Sequence, residues 1–275
     1  MGELAQRIRG LLLAQGVDWP SAIEDFETLA STNDTARDRA RAGAPEWTTI
    51  LAGEQTRGRG RHGHGWLSTP GNLFVSVVLR PSFPVLEVSL LPLAAGVAVA
   101  EAARDLGVAA RLKWPNDVLA DGKKLAGILV EGSGLGETQP SVVVGVGMNL
   151  RLSDREIPPE LQESVVSIEA LTHRDPGVDV AAAAVLPRLT VWYHALERDG
   201  APAVLAAWRR WSVDWWGERV AVRSGADVVR GVLRGIDERG ALLLLRDDGT
   251  ELALFSGEVN ELRRAPEGGS DRESG

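Results

Sequence analysis

Apolar positions recur at helical spacing over residues 3–15, and the pattern then shifts in IEDFETLAST, predicting a helix followed by a strand. Ser31, Thr32 and Asn33 stand before the charged stretch DTARDRARAG, which reads as a second helix ended by Gly43. TTILAGEQ, from Thr48, and NLFVSVVLRP, stopped by Pro81, read as strands. Between them EQTRGRGRHGHGW carries enough glycine to predict a flexible loop. LLPLAAGVAVAEAARDLG predicts an apolar helix ending at Gly107. ARLKWPNDVLA predicts strand, break at Pro115, and strand again; DGKK predicts a tight turn. LAGILVEG and SVVVGVGMNL predict two further strands, and helical patterns return after Asp179. Trp208, Trp211, Trp215 and Trp216 fall at i, i+3, i+7 and i+8, one helical face whose ordinary use is packing.

From Arg219 the pattern changes. RVAVRS, VVRGVLRGID, ALLLLRD and ELALFSGEV are short strand-like runs joined by DERG and DDGT turns, which predicts a small all-β barrel. The chain is therefore expected to divide into a large unit over residues 1–217, a barrel over 218–264 and a polar, disordered tail over 265–275.

Composition narrows the chemistry. The 275 residues are 44% hydrophobic, enough for a sizeable core, and contain no cysteine, which excludes disulfides, thiolate metal sites and cysteine nucleophiles. Four histidines and two methionines make a buried multi-histidine metal site unexpected. A formal net charge of -8 argues against holding duplex DNA through its phosphates. The N-terminus lacks a small-residue cleavage site, and apolar runs fall short of the roughly 18 residues of a membrane span. The cytoplasm is the default expectation.

Three segments could carry chemistry. From Glu54 to Trp66 there are three arginines, two histidines and four glycines against one acid. Glycines let backbone amides approach an anion, and arginines present forked donors matched to phosphate or carboxylate. A solvated arginine-rich turn or an RNA-binding tract fits that loop equally well; a Walker loop does not, because the required lysine pattern is missing. KWPND followed by KKLAGILVEG puts Lys113, Asn116, Asp117 and Lys124 on paired strands. There Asp117 and a lysine could meet over a shared ligand, with a metal ion between carboxylate and phosphate, or be ordinary charges at a hairpin end. GVGMN, Gly145 to Asn149, is half of a dinucleotide-binding fingerprint without its third glycine, and could let a ligand lie against backbone.

RGRGRHG with Trp66, then KWPNDVL, KKLAGILVE and GVGMN, in this order and behind Ser31-Thr32-Asn33, resemble the biotin protein ligase family over roughly residues 25–263. The resemblance implies an α+β, class II synthetase-like catalytic domain that binds biotin and ATP, with a mixed or antiparallel sheet and helices on one face. It also implies a small C-terminal SH3-like β-barrel. It implies Ser31, Thr32, Asn33 and Gln55 as biotin contacts; Arg59, Gly60 and Arg61 on a loop ordering over biotin and its adenylate, the two arginines acting in catalysis; and Lys124 as the active-site lysine, beside the biotin carboxylate and the α-phosphate. Trp66, Asn116, Asp117 and Asn149 would line the ATP or adenylate side, with Asp117 near magnesium. The implied substrates are biotin and ATP with Mg2+, and the implied partner is a biotin carboxyl carrier protein of acetyl-CoA carboxylase. Only about 30 residues precede Ser31, so the monofunctional type, without a DNA-binding domain, is expected; neither DNA nor membrane is an expected partner, and a homodimer is left open.

A lipoate ligase or octanoyl transferase is the nearest rival, distinguished by a different glycine-rich motif; a non-enzymatic RNA-binding module is the rival of another class. The loop Arg57 to Gly65 combines glycines with like charges that repel until an anion arrives, so limited proteolysis is expected to cut there in the free protein and biotin plus ATP to protect it. Equal cutting in both conditions would refute a ligand-ordered loop.

Overall fold

The computed structural model of the chain describes residues 2–83, 85–133, 140–153, 157–224, 227–256, 259 and 261–264. The tail expected over 265–275 lies outside them. The chain forms two compact units, Met1–Val213 and Asp214–Gly275.

The first unit is built on one sheet. Helix α1 (Glu3–Ala14) leads to β1 (Ile23–Leu29), α2 (Thr32–Arg41), β2 (Thr49–Gln55) and β3 (Leu73–Leu79). Helix α3 (Leu91–Asp105) precedes β4 (Arg111–Lys113), β5 (Asp117–Ala120), β6 (Lys123–Ser133) and β7 (Ser141–Met148). Helices α4 (Ile168–Thr172), α5 (Val178–Asp199) and α6 (Ala201–Trp211) complete it. The seven strands lie in the order β1-β2-β3-β7-β6-β5-β4. Only β1 and β2 run parallel, because α2 supplies the crossover that a parallel pair requires; the other neighbours are antiparallel.

The sheet is covered on both faces, which corrects the expectation of helices on one face. Val77, Leu79 and Val144 meet Leu91, Ala94 and Ala95 of α3 and Leu189 and Tyr193 of α5 around a small apolar cavity. Their neighbours one residue along the strands, Val78 and Val143, point the other way and pack with Ile50 against Ala36 and Ala40 of α2. The physical reason is in α2 itself. Only two small alanines of its charged sequence are apolar enough to bury on a sheet, so it covers one edge of that face and leaves the rest open.

Trp215 and Trp216 also depart from expectation. Helix α6 stops at Trp211, where the Ser212 hydroxyl donates to the Arg209 carbonyl, so only Trp208 and Trp211 belong to it. Among the described residues no helix is long and apolar enough to cross a membrane.

The second unit has five strands: β8 (Arg219–Ser224), β9 (Asp227–Ile236), β10 (Leu242–Leu245), β11 (Glu251–Leu254) and β12 (Glu261–Arg264). They form an antiparallel sheet in the order β11-β10-β9-β8-β12. Val220, Val222, Leu233, Ile236, Leu242 and Leu244 are buried. Among the described residues no hydrogen-bonded pair joins β11 to β12, so the expected barrel is an open sheet by its pairing. The predicted turns are side-chain stapled: Asp237 accepts from the amides of Arg239 and Ala241, and Asp248 from that of Thr250.

Between β5 and β6, Asp121 and Gly122 both take positive φ, 50° and 73°, the signature of the two-residue turn that matches strand twist. A Cβ on Gly122 would touch nothing within 4 Å, so a side chain there meets only its own backbone. Gly122→Ala is expected to lower stability by about 1–2 kcal/mol in urea unfolding, the cost of a left-handed alanine; an unchanged midpoint would refute this turn geometry.

Candidate active site

The open part of the α2-side face is paved with glycine. Gly127 of β6 lies opposite Gly147 of β7, and Gly145 is two residues along the same strand. The indole of Trp66 lies on this floor: a Cβ on Gly147 would stand 2.5 Å from the ring and one on Gly127 2.8 Å from it. A Cβ on Gly145 would collide with the Asn33 amide. The small residues of GVGMN thus admit the protein's own side chains to the backbone. The Trp66 Nε1 is buried and has no acceptor among the described residues.

One end of this floor holds a polar network. Thr32 and Asn33 sit in the first turn of α2 behind Ser31, and all three are buried. The Thr32 amide donates to Gln55 Oε1 at 2.8 Å, as does its hydroxyl at 3.1 Å. The Ser76 hydroxyl of β3 lies 2.7 Å from Thr32 Oγ1 and 2.6 Å from Asn33 Oδ1, with one hydrogen to donate between them. Asn33 Nδ2 donates to Glu131 at 2.8 Å, and Gln55 Nε2 to Ser68 at 3.1 Å. Ser68 in turn donates to the Trp66 carbonyl at 3.0 Å. Sequence reasoning missed Ser76, Ser68 and Glu131. A signal for Ser76 was present, since it is the one polar residue in the fully buried strand LFVSVVL.

The other end holds cationic groups. Lys124 Nζ lies 2.6 Å from Asp117 Oδ1 and 5.2 Å from the centre of the Trp66 ring. Asn116 donates to the Ile128 carbonyl at 2.7 Å and accepts from Arg61 at 3.4 Å. Burial lowers the pKa of the Arg61 guanidinium and the charge of Asp117 opposes that shift; the group stays protonated at neutral pH. The loop between these ends is a small hairpin. Trp66 N–H donates to the Gly58 carbonyl and Gly60 N–H to that of His64, with one turn over Arg61–Gly63.

The loop arginines diverge. Arg61 lies by Asn116, whereas Arg59 turns to Asp34 at 2.6 Å and Glu131 at 3.3 Å, acids it shares with Arg37. Asn149 is buried, and its amide group donates to the carbonyls of Lys124 and Val166 at 3.3 and 3.2 Å. Among the described residues no group of three or more histidines, cysteines or acids could hold a metal ion.

This arrangement offers a cation, Lys124, beside a carboxylate it can exchange, a second cation, Arg61, at the neighbouring Asn116, and a glycine floor covered by the Trp66 indole that leads to buried hydrogen-bonding groups. The Lys124–Asp117 pair is partly exposed, and such pairs contribute about 1 kcal/mol or less, so an anionic ligand can take the lysine at little cost.

Comparison with known proteins identifies relatives over most of the chain. The biotin/lipoate A/B protein ligase family matches residues 26–149, and the biotin protein ligase C-terminal domain matches 216–260. The chain is 35% identical to a biotin--[acetyl-CoA-carboxylase] ligase of Mycobacterium tuberculosis over 268 residues, covering 93% of this chain and 94% of the relative. It is 31% identical to the bifunctional ligase/repressor BirA of Bacillus subtilis over 239 residues, covering 85% and 72% respectively. Its fold is similar to that of a biotin protein ligase from Aquifex aeolicus in complex with biotin and ATP, with a TM-score of 0.72, 30% identity, and 88% and 99% of the two chains covered.

Ser76→Ala would leave Thr32 and Asn33 short of a buried partner. It is expected to lower stability by about 1–3 kcal/mol, read by urea unfolding; a change within about 0.5 kcal/mol, the range of surface substitutions, would show that the network does not depend on this hydroxyl.

Proposed function

The chain belongs to the biotin protein ligase family, and we infer that its two-ended site performs an ATP-dependent ligation in two steps. Biotin is first activated: a carboxylate oxygen attacks the α-phosphorus of ATP, the bond to the β-phosphate oxygen breaks, and pyrophosphate leaves biotinyl-5′-AMP behind. The amine of one lysine on a biotin carboxyl carrier protein, the biotin-bearing part of acetyl-CoA carboxylase, then attacks the acyl carbon. The C–N bond forms, the acyl C–O bond breaks, and AMP departs.

The observation that carries this reading is the adjacency of the buried polar network to Lys124 across the glycine floor. A ring that both donates and accepts hydrogen bonds fits the network formed by Thr32, Asn33, Gln55 and Ser76, with Ser31 beside them. The aliphatic chain of biotin fits against the Trp66 indole, which itself lies on the backbone of Gly127 and Gly147. Its carboxylate then reaches Lys124, 2.6 Å from Asp117 in the free protein. Two anions repel as they approach, and Lys124 with Arg61 offsets that repulsion and stabilises the charge developing at phosphorus. Arg59 and Gly60 lie on the hairpin that closes over the adenylate and keeps water from an easily hydrolysed anhydride. Asn116 and Asp117 face the nucleotide side of Lys124.

Magnesium enters on this reading with the nucleotide. One carboxylate, Asp117, stands at the phosphate end, and a donor set of one protein oxygen plus phosphates is what this ion ordinarily takes. When bound it screens the phosphate charge. We read the C-terminal sheet, which matches the family's C-terminal domain, as SH3-like.

Two outcomes test the function. Biotin and ATP together are expected to release pyrophosphate, and lipoate is expected to be worse by about 10⁴ or more in kcat/KM, because it leaves the polar network unpaired. Comparable turnover of both acids would overturn the assignment. Lys124→Ala is expected to cost about 10² to 10³ in adenylation rate, while Lys123→Ala changes little. The reverse pattern would show that the wrong lysine has been identified.

A further inference from the structure

The two ends of the site are joined by one hydroxyl. Ser68 stands where the chain leaves the arginine hairpin, and it is 8% exposed. Its Oγ accepts from Gln55 Nε2 at 3.1 Å and donates to the Trp66 carbonyl at 3.0 Å. Gln55 belongs to the polar network, whereas Trp66 carries the indole that lies 5.2 Å from the Lys124 ammonium. A serine has one hydroxyl hydrogen, and a carbonyl can only accept, so the hydrogen goes to Trp66 and the Gln55 amide must donate to the serine. Gln55 is fixed from its other side too, because its Oε1 accepts from the Thr32 main chain at 2.8 Å. The bonds linking Thr32, Gln55, Ser68 and Trp66 therefore have a single arrangement.

The fit around the hydroxyl is close. A Cβ on Gly58 would stand 2.3 Å from Ser68 Oγ, 2.8 Å from the Trp66 carbonyl oxygen and 3.2 Å from Gln55 Nε2. Three polar atoms thus converge on Gly58, whose carbonyl accepts from the Trp66 amide and closes the base of the hairpin. Just before it the chain is anchored to the sheet: the amides of Thr56 and Arg57 donate to the carbonyls of Leu29 and Ala30. His62 to Gly65 are exposed, so the hairpin is held at its base and by its arginines rather than along its length.

On the ligation reading above, we propose that Ser68 is a positioning residue that couples the two ligands, transmitting occupation of the polar network to the phosphate end. A ligand that orders Thr32 and Gln55 holds the Ser68 hydroxyl, and the hydroxyl holds the Trp66 carbonyl. The hairpin then keeps Arg61 beside Asn116 and the indole beneath Lys124, where a phosphate binds. The two-state element is the hairpin, down or lifted, and each ligand favours the down form. Binding of one then tightens binding of the other, by the same factor in both directions. A hairpin coupled only through its own glycines and arginines would show coupling that survives loss of the serine hydroxyl.

The measurement is calorimetry on the full chain with biotin and with the α,β-methylene analogue of ATP, which cannot be split at the α-phosphorus. Each Kd is taken with and without the other ligand, for the wild type, Ser68→Ala and Ser68→Cys. The wild type is expected to bind the analogue at least about fivefold more tightly with biotin present, the lower end of ordinary coupling, and biotin more tightly by the same factor with the analogue present. In Ser68→Ala the factor should fall to about one, at most about two, whatever happens to the affinity for biotin alone. Ser68→Cys keeps the shape and replaces the hydroxyl with a weak donor and acceptor. It should repeat the pattern, and it stands in for the alanine variant if that one fails to fold. Weaker biotin binding with the coupling factor intact would confine Ser68 to the polar end and overturn the proposal, as would a wild type without coupling. A wild type that forms no biotinyl-5′-AMP from biotin and ATP would instead overturn the ligation reading.

Discussion

Contact between the Trp66 indole and the bare backbone of Gly127 and Gly147 is the constraint from which the rest of the site follows. Antiparallel strands bring opposed residues within about 4.5–5.5 Å, so two side chains at these positions would stand directly under the ring. Without them the indole lies on the sheet, the loop bearing it is drawn down, and Gly58 comes close enough to accept from the Trp66 amide. The loop arginines are thereby suspended over the floor. A third glycine, Gly145, lets Asn33 come down in the same way, and α2 can then present its first turn to Ser76 and Gln55. The same absence of side chains shapes both ends of the site.

Charge is handled by pairing. Every cation assigned a role faces a protein partner in the free molecule: Lys124 faces Asp117, Arg59 faces Asp34 and Glu131, and Arg61 faces Asn116. None of these contacts is fully buried, so each is weak enough to be exchanged, and together they keep like charges from driving the loop away from the floor. An anion reaching these groups would exchange a weak, partly exposed pair rather than break a buried one. The polar network at the other end behaves differently. Ser76, Thr32 and Asn33 are buried, so leaving any of them unpaired is costly.

What the sequence made legible, and what it hid, divides along physical lines. Periodicity marked α3 and β7, because long buried runs leave little else for the chain to do. The DGKK turn was legible because few residues besides Asp-Gly accept two positive φ values in a row. The residues read as a site were near one another in the chain or belonged to a resemblance in fixed order. Hidden were features that depend on register. Placing α2 on its face depends on which of two adjacent valines points where, and the partnership of Ser76 with Asn33 spans 43 residues. The helical stripe through Trp215 and Trp216 was spurious, since the helix ends before them and periodicity does not see a terminus.

A β-bulge in β6 shows why adjacent lysines cannot be told apart by alternation. Strict alternation puts Lys123 and Lys124 on opposite faces, but which face each takes depends on an irregularity at the very next residue, Leu125, and a sequence carries no marker for one extra leucine. The structure supplies it through a register shift between Val118 and Leu119. A bulge is a local distortion that must be held, and the groups holding this one come from the end of β7 and from the chain around Ser164–Val166, far from the lysine in sequence. Aiming one ammonium group is therefore a property of three separated segments.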